Sequence, residues 1–186
     1  MSRLRTTDTS LDGLRVVERS RVADSRGFLS RLFCAEELRT AGWLGPVAQI
    51  NHTLTRRAGT VRGLHFQHPP RAEVKLVSCL RGEVWDVAVD LRKGSPTFLR
   101  WFAQNLSADN GLALLIPRGF AHGFQTLCDD CELIYLHSEA YAPASEGAVH
   151  AEDPRVGIAW TRDIADLSPR DRSHPRLASD FEGIPV

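Results

Sequence analysis

Short apolar runs alternate with turn-forming residues along most of the chain. The runs are rich in Val, Leu, Ile and Phe, and clusters of Gly, Pro and charged residues separate them. This pattern is typical of an antiparallel β-sandwich or barrel. It predicts eight strands, over Val47–Thr53, Thr60–Gln67, Val74–Leu80, Val84–Asp90, Thr97–Asn105, Leu112–Ile116, Ala121–Leu127 and Glu132–Ser138.

The rest of the pattern offers little helix and no second domain. Only Ala35–Ala41 has a helical pattern, and the tail from Ala151 is polar and contains proline, which predicts turns. No internal repeat or linker interrupts the chain. We therefore expect one all-β domain over residues 1–186, with a few short helices.

Periodicity predicts which strand faces are polar. In the stretch VWDVAVDL (84–91) the odd positions are large and apolar, whereas Asp86 and Asp90 lie on the opposite, partly polar face. In Val61–Gln67, Gly63, His65 and Gln67 share a face, and Gly63 is expected to leave space beside the imidazole. Polar groups beside small residues on an inner face predict a ligand cavity rather than a filled core.

Charge and hydropathy narrow the class of protein. Lys plus Arg and Asp plus Glu each total 23, and the pI is about 7.1. This balance lacks the basic excess of proteins that bind nucleic acid or membrane surfaces, so we expect neither partner. The chain contains no signal-like start and no run near the ~20 apolar residues of a membrane helix. We expect a cytoplasmic protein.

The four cysteines do not form a recognisable metal motif. Cys128 and Cys131 have CxxC spacing, but no second pair or histidine lies at zinc-site distance. Asp129 and Asp130 between them are typical of a hairpin turn. We interpret the cysteines as structural and expect no metal.

The chemistry concentrates in the stretch VRGLHFQHPPRAEVK (61–75). It places Arg62, His65 and Lys75 in a strand-like context, where core strands seldom carry three such groups. Proton abstraction next to a carbonyl needs a base that works near neutral pH and a cation to hold the enolate oxygen. These residues therefore predict a catalytic site.

Six motifs follow one another along the chain: RGLHFQ (62–67), KLVSCLRGEVWDVAVDLRKGSPTF (75–98), NLS (105–107), IPRGFAHGF (116–124), IYLHSEAYAP (134–143) and LSPRD (167–171). Together they resemble the motifs of the dTDP-4-dehydrorhamnose 3,5-epimerase family, and the similarity runs from about Asp24 to Asp171. The resemblance implies a double-stranded β-helix (cupin) jelly roll, a homodimer, and a cofactor-free enzyme that inverts C3 and C5 of a nucleotide-diphosphate-linked 4-keto-6-deoxyhexose.

The resemblance also implies four catalytic roles. His65 would remove the proton next to the C4 ketone, and Lys75 would stabilise the enolate oxygen. Tyr135 would return a proton to the opposite face of the sugar. Asp171 would hydrogen-bond the other nitrogen of His65 and fix its tautomer.

Further positions are implied to bind the substrate. Arg62 and His122 match positions around the sugar and phosphates, and Arg26 matches one that reaches in from the partner subunit. Guanidinium groups suit phosphate because they bind it in two places. The remaining matches are Arg170 beside the catalytic Asp171, Gln49 and Asn51 at the nucleoside–phosphate part, and Tyr141 stacked on the base.

The chain also departs from the family pattern. Arg31 stands where relatives have a Glu that contacts thymine, and a guanidinium cannot accept a hydrogen bond from the base. The nucleotide carrier is therefore open, as is the choice among inversion at C3, at C5 and at both carbons.

Two other classes of function stay open at this point. A metal-dependent cupin would need ligands that His65 and His68, three residues apart, cannot supply from one strand face, and Lys75 would repel the ion. A non-catalytic sugar-binding cupin is expected to lack His65, Lys75 or Tyr135, and all three are present.

Overall fold

The computed structural model describes residues 3–186, and the prediction of an all-β fold is confirmed. Among these residues no helix is long and apolar enough to cross a membrane. The short helices are α1 (Ala35–Arg39), α2 (Pro169–Arg172) and a 3-10 turn at Pro143–Ser145. The strands are β1 (Leu4–Asp8), β2 (Arg15–Arg19), β3 (Arg21–Asp24), β4 (Gly27–Ser30), β5 (Gln49–Thr55), β6 (Val61–Gln67), β7 (Lys75–Arg81), β8 (Glu83–Asp90), β9 (Trp101–Ser107), β10 (Leu112–Ile116), β11 (Phe120–Thr126), β12 (Cys131–His137) and β13 (Glu146–Ala148).

The strands form two antiparallel sheets and a separate hairpin. The six-stranded sheet has the order β1-β2-β10-β7-β12-β5, and the five-stranded sheet has the order β13-β6-β11-β8-β9. Within residues 3–186, strands β3 and β4 pair only with each other. Consecutive strands such as β6 and β7 lie in different sheets, so the chain crosses repeatedly between the two layers, as in a jelly roll.

The eight predicted strands correspond to β5–β12, with one clear difference in bounds. The strand predicted from Thr97 begins at Trp101. The residues before it form a turn around the buried Asp90, whose carboxylate accepts hydrogen bonds from Ser95 Oγ and Thr97 Oγ1, each at 2.6 Å. Leu99 there has a φ of 61°, which is incompatible with a strand.

Strands β1–β4 were not predicted, because their sequences carry too few apolar residues for the pattern to stand out. In the six-stranded sheet β2 pairs with β10, and its Val17 is fully buried. The hairpin β3–β4 is exposed, with Phe28 60% and Leu29 63% accessible.

The core lies on both sides of β8. Val84 and Ala88 belong to the cluster between the two sheets, whereas Val87 and Val89 pack in a second cluster under the C-terminal tail with Ile184. The predicted alternation of faces is therefore confirmed. The tail adds a cover that the sequence pattern did not indicate.

Strand β6 is irregular at the point where the site is built. His65 pairs with His122 and Arg62 pairs with Phe124, so three steps on β6 oppose two on β11. Gly63 has a φ of 139°, and a Cβ on it would lie 2.5 Å from the Cα of Gly123. The predicted space beside the imidazole is therefore wrong, because the backbone of β11 fills it. The irregularity lets both Arg62 and His65 reach the same cavity.

The CxxC segment forms the predicted hairpin turn between β11 and β12. Cys128 Sγ and Cys131 Sγ lie 3.6 Å apart, within hydrogen-bond distance for sulfur, and both cysteines are free thiols. The sulfur of Cys131 contacts the carbonyl oxygens of Glu83 and Cys128. These contacts support a packing role for the pair.

Candidate active site

A cavity of about 370 Å³ lies between the two sheets. One wall comes from β5, β7 and β12 of the six-stranded sheet, and the other comes from β6 and β11 of the five-stranded sheet. Nine of the predicted site residues line it: Gln49, Asn51, Arg62, His65, Lys75, His122, Tyr135, Tyr141 and Arg170.

His65 and Asp171 form a hydrogen-bonded pair at the cavity wall. His65 Nε2 lies 2.9 Å from Asp171 Oδ1, and the side chains are 36% and 5% exposed. Helix α2 holds the carboxylate in place, since the Asp171 amide donates to Ser168 Oγ at 3.0 Å. The Gly63 amide donates to Asp171 Oδ2 at 3.3 Å. The Nδ1 atom of His65 is therefore the nitrogen left to act in the cavity.

The charge state of Asp171 follows from competing effects. Burial would raise its pKa, but the hydrogen bond and charge of His65 and the Gly63 amide outweigh burial and lower the pKa. The carboxylate is therefore ionised at neutral pH and accepts a hydrogen bond from His65 Nε2–H. This tautomer leaves the lone pair of Nδ1 free to take a proton.

A second histidine–aspartate pair lies beside the first. His122 Nε2 is 2.9 Å from Asp86 Oδ2 and 3.1 Å from Oδ1, and the side chains are 6% and 0% exposed. Burial raises the pKa of Asp86 and outweighs the opposing effect of His122. The sequence placed Asp86 on a partly polar strand face but did not identify it as the partner of His122.

Lys75 is held at the cavity by a buried ion pair. Its Nζ lies 2.9 Å from Glu73 Oε1, and the side chains are 9% and 5% exposed. The same Nζ donates to the His65 carbonyl oxygen at 3.2 Å. The predicted base and the predicted cation therefore share one cavity. Glu73 was not among the predicted site residues, although it lies only two residues from Lys75 in the sequence.

Tyr135 lies on the sheet opposite His65. Its ring centroid is 6.0 Å from that of His122, and burial raises the pKa of its phenol well above the ordinary value. The phenol therefore keeps its proton at neutral pH. This suits a group that must donate a proton.

The predicted nucleotide-binding residues meet at one end of the cavity. Gln49 Oε1 accepts from the Tyr141 amide at 2.9 Å, and Gln49 Nε2 donates to Asn51 Oδ1 at 3.0 Å. Arg170 forms an ion pair with Glu146, which also accepts from the Tyr141 hydroxyl at 3.0 Å. Glu146 was not among the predicted site residues.

Two arginines on or next to the exposed hairpin do not line this cavity. Arg26 is ion-paired with Asp24 at 2.7 Å, and both side chains are exposed. Arg31, which the family resemblance marks as a departure, is ion-paired with Glu37. Within one subunit, Arg26 therefore has no access to the predicted site, and its role there stays a prediction that depends on a partner subunit.

Among the described residues, one cluster has the side-chain composition of a metal site. Ligand atoms of His65, Asp171 and His174 lie within 4.8 Å of one another, although His65 already occupies Asp171 Oδ1. His68, considered above as a ligand, instead packs against the Phe66 ring at 4.9 Å. The expectation of no metal stays a prediction.

The sequence matches a known protein family. Residues 8–179 match the family described as dTDP-4-dehydrorhamnose 3,5-epimerase. The chain is 42% identical over 171 residues to a dTDP-4-dehydrorhamnose 3,5-epimerase of Streptomyces griseus, covering 91% of this chain and 84% of the relative. It is also 42% identical over 159 residues to a dTDP-4-dehydro-6-deoxyglucose 3-epimerase of Streptomyces bikiniensis, covering 84% and 81%.

Solved structures agree with the fold. The crystal structure of dTDP-6-deoxy-D-glucose-3,5-epimerase from Legionella pneumophila, in complex with dTDP-4-keto-L-rhamnose, matches with a TM-score of 0.91 and 37% identity. The match covers 98% of this chain and 97% of that one. The predicted jelly roll is therefore confirmed.

Proposed function

The chain belongs to the dTDP-4-dehydrorhamnose 3,5-epimerase family, and on that premise we propose that it inverts C3 and C5 of a dTDP-4-keto-6-deoxyhexose. The observation that carries the proposal is that His65, Lys75 and Tyr135 line one cavity, with Asp171 hydrogen-bonded behind His65. We further propose that residues 1–186 act as one cytoplasmic epimerase domain.

The reaction begins with proton removal next to the C4 ketone. His65 Nδ1 takes the proton, the C–H electron pair forms a carbon–carbon double bond, and the carbonyl pair moves onto oxygen as an enolate. The Lys75 ammonium stabilises that negative charge. General acid–base catalysis of this kind contributes about 10²–10⁴-fold.

Inversion requires that the new proton arrive from the other side. His65 lies on β6 of the five-stranded sheet, and Tyr135 lies on β12 of the six-stranded sheet. A sugar ring between the sheets therefore presents one face to the base and the other to the phenol. Tyr135 gives its proton to carbon, and proton exchange with water restores both groups.

The nucleotide end of the substrate lies near Tyr141, Gln49 and Asn51 in this proposal. Arg62 and Arg170 supply positive charge for the diphosphate, and His122 contacts the sugar–phosphate region. Arg62 Nη1 makes only a 3.4 Å contact with Thr55 Oγ1 among the described residues, so its guanidinium is available to a ligand.

We propose that the enzyme is a homodimer in which Arg26 completes the partner's site. The hairpin that carries Arg26 pairs with no sheet of its own subunit among the described residues, and it exposes Val22, Phe28 and Leu29. Strand β5 is a sheet edge with Ile50 59% exposed. Light scattering should give a dimer mass, and Arg26→Ala should weaken dTDP binding; a monomer with unchanged dTDP affinity would contradict this.

Inversion at C3 alone is a second candidate, because the chain is equally similar to a 3-epimerase. Incubation with dTDP-4-keto-6-deoxyglucose in D₂O, with label followed at C3 and C5, separates the two activities. Label at both carbons, absent in His65→Ala, is the expected result. Label at one carbon identifies a mono-epimerase.

The same assay tests the nucleotide carrier, which Arg31 leaves open. Exchange with the dTDP sugar and not with CDP or GDP analogues is expected. Turnover of a CDP- or GDP-linked sugar alone would show that the nucleotide carrier is not dTDP. No exchange with any of these sugars would contradict the enzyme assignment and favour a sugar-binding protein.

A further inference from the structure

His137 lines the cavity and was not among the predicted site residues. On β12 it pairs with Gln49 of β5 on one side and with Lys75 of β7 on the other. It lies two residues from Tyr135, on the same face of the strand, and the two rings stack with centroids 6.3 Å apart. His137 therefore stands between the proposed acid, the proposed enolate-binding cation and the nucleotide end.

A chain of hydrogen bonds sets which nitrogen of His137 carries the proton. The Tyr141 amide can only donate, so the atom of Gln49 that faces it is the oxygen. The amide nitrogen of Gln49 then faces the oxygen of Asn51, which turns Asn51 Nδ2 toward His137 Nε2 at 3.5 Å.

Because an amide nitrogen only donates, Nε2 of His137 is the accepting nitrogen. The proton therefore resides on Nδ1. Among the described residues Nδ1 has no hydrogen-bond partner, while His137 lines the cavity. The chain of contacts thus leaves one N–H group available to a ligand.

The imidazole is also uncharged. Burial and then the charge of Lys75 lower the pKa of His137 to about 4, with His122 acting in the same direction and Glu73 opposing it. At neutral pH His137 is therefore a neutral donor. Such a donor can stabilise an oxyanion without adding a second positive charge beside Lys75.

We propose that His137 is a further catalytic residue whose Nδ1–H donates to the C4 oxygen of the substrate alongside the Lys75 ammonium. This inference rests on the proposed epimerase function. The donor is oriented before the substrate binds, so no reorganisation is needed as negative charge develops. The chemical class of ligand atom it serves is a ketone oxygen that becomes an enolate.

The tautomer can be tested without substrate. In ¹⁵N-resolved long-range NMR spectra of the whole protein at pH 7, His137 should give the Nδ1–H neutral pattern. Asn51→Asp replaces the facing donor with an acceptor and should move the proton to Nε2. An Nε2–H tautomer in the unaltered protein would overturn the inference.

The role can be tested with three substitutions at one position. His137→Phe keeps a ring against Tyr135 and removes the donor, and we expect kcat to fall by roughly 10–10²-fold with little change in KM. His137→Asn places an amide donor near the original Nδ1 and should recover part of that loss. His137→Gln places its donor near the original Nε2 and should not.

The controls separate this inference from the proposed function. His150→Phe changes a histidine that does not line the cavity and should leave kcat unchanged. If the unaltered enzyme epimerises the sugar but His137→Phe keeps full kcat, or raises only KM, His137 is not a donor to the enolate. If the unaltered enzyme exchanges no proton, the proposed function itself fails.

Discussion

Two histidine–aspartate pairs lie side by side in the cavity, yet their surroundings differ. His65 and His122 face each other across neighbouring strands, and each Nε2 lies 2.9 Å from its carboxylate. The His65 side chain is 36% exposed, whereas that of His122 is 6% exposed. Asp171 comes from helix α2, while Asp86 comes from the strand next to His122.

The electrostatic difference follows from the contacts of each carboxylate. Asp171 has the Gly63 amide as a second donor, and its pKa is lowered. Asp86 lies fully buried between strands, and its pKa is raised. An ionised carboxylate behind an accessible imidazole suits proton removal, and a buried pair with less charge separation suits holding a substrate oxygen. The two pairs thus differ in the donors to each carboxylate and in the exposure of each imidazole, and on this difference we propose different roles for them.

The largest expected difference in kinetic effect is between substitutions of the two histidines. His65→Asn should lower kcat by about 10²–10⁴-fold, because the proposed base is lost. His122→Asn should mainly raise KM, since its proposed role is in binding. Steady-state rates with label exchange in D₂O measure both effects. Equal losses of kcat in the two variants would contradict the division of roles.

The next contrast is between the two carboxylates. Asp171→Asn keeps a hydrogen-bonding side chain but presents an amide donor to His65, which drives the proton onto Nδ1 and blocks the base. We expect kcat to fall by roughly 10²-fold or more. Asp86→Asn should cost less, because His122 is not the proposed base. A greater loss in Asp86→Asn would reverse the assignment of the two pairs.

The sequence pattern anticipated one half of this comparison better than the other. The apolar runs predicted strands β6 and β11, and they therefore placed His65 and His122 on strands. Asp171 is 106 residues from His65, so only the LSPRD motif of the family could connect them. Asp86 was seen as a polar position on β8, but strand order decides its partner, and local alternation carries no information about strand order.

Other features were beyond a local pattern for similar reasons. The irregularity at Gly63 depends on close contact with Gly123 of another strand. Lys75 was predicted as a cation of the site. Its ion pair with Glu73 was not, because the pair is buried and a single sequence does not display burial. His137 was passed over because its neighbours Gln49 and Lys75 come from distant parts of the chain.

A smaller effect is expected for the free energy of unfolding, to which Asp171 and Asp86 contribute with opposite pH dependence. Asp171 has a lowered pKa when folded, so its contribution is present above the unfolded value near pH 4 and is lost as pH falls through the folded pKa. Asp86 has a raised pKa, so its contribution is greatest below pH 4 and is lost as pH rises toward the folded pKa.

Denaturant unfolding of the two Asn variants across this pH range measures the difference. Relative to the unaltered protein, Asp171→Asn should be less stable at pH 7, by about 1 kcal/mol, and should approach it in acid. Asp86→Asn should instead gain relative stability as pH rises above 4. If the relative stability of both variants changed in the same direction with pH, the two carboxylates would not differ in this way.

The smallest expected effect concerns His174, which touches only the more exposed pair. Its ring meets that of His65 edge to face at 5.1 Å, and its Nε2 lies 3.6 Å from Asp171 Oδ1. Burial and then the charge of His65 lower the pKa of His174, so it stays neutral and competes weakly for Asp171.

His174→Phe should therefore keep the ring contact, leave the bonds of Asp171 to His65 and Gly63 in place, and reduce kcat by no more than about threefold. The shape of the pH–rate profile should be unchanged, because the proton on His65 Nε2 is still fixed by Asp171. A loss as large as that in Asp171→Asn would mean that His174, and not the short helix with its Ser168 cap, holds the carboxylate in position.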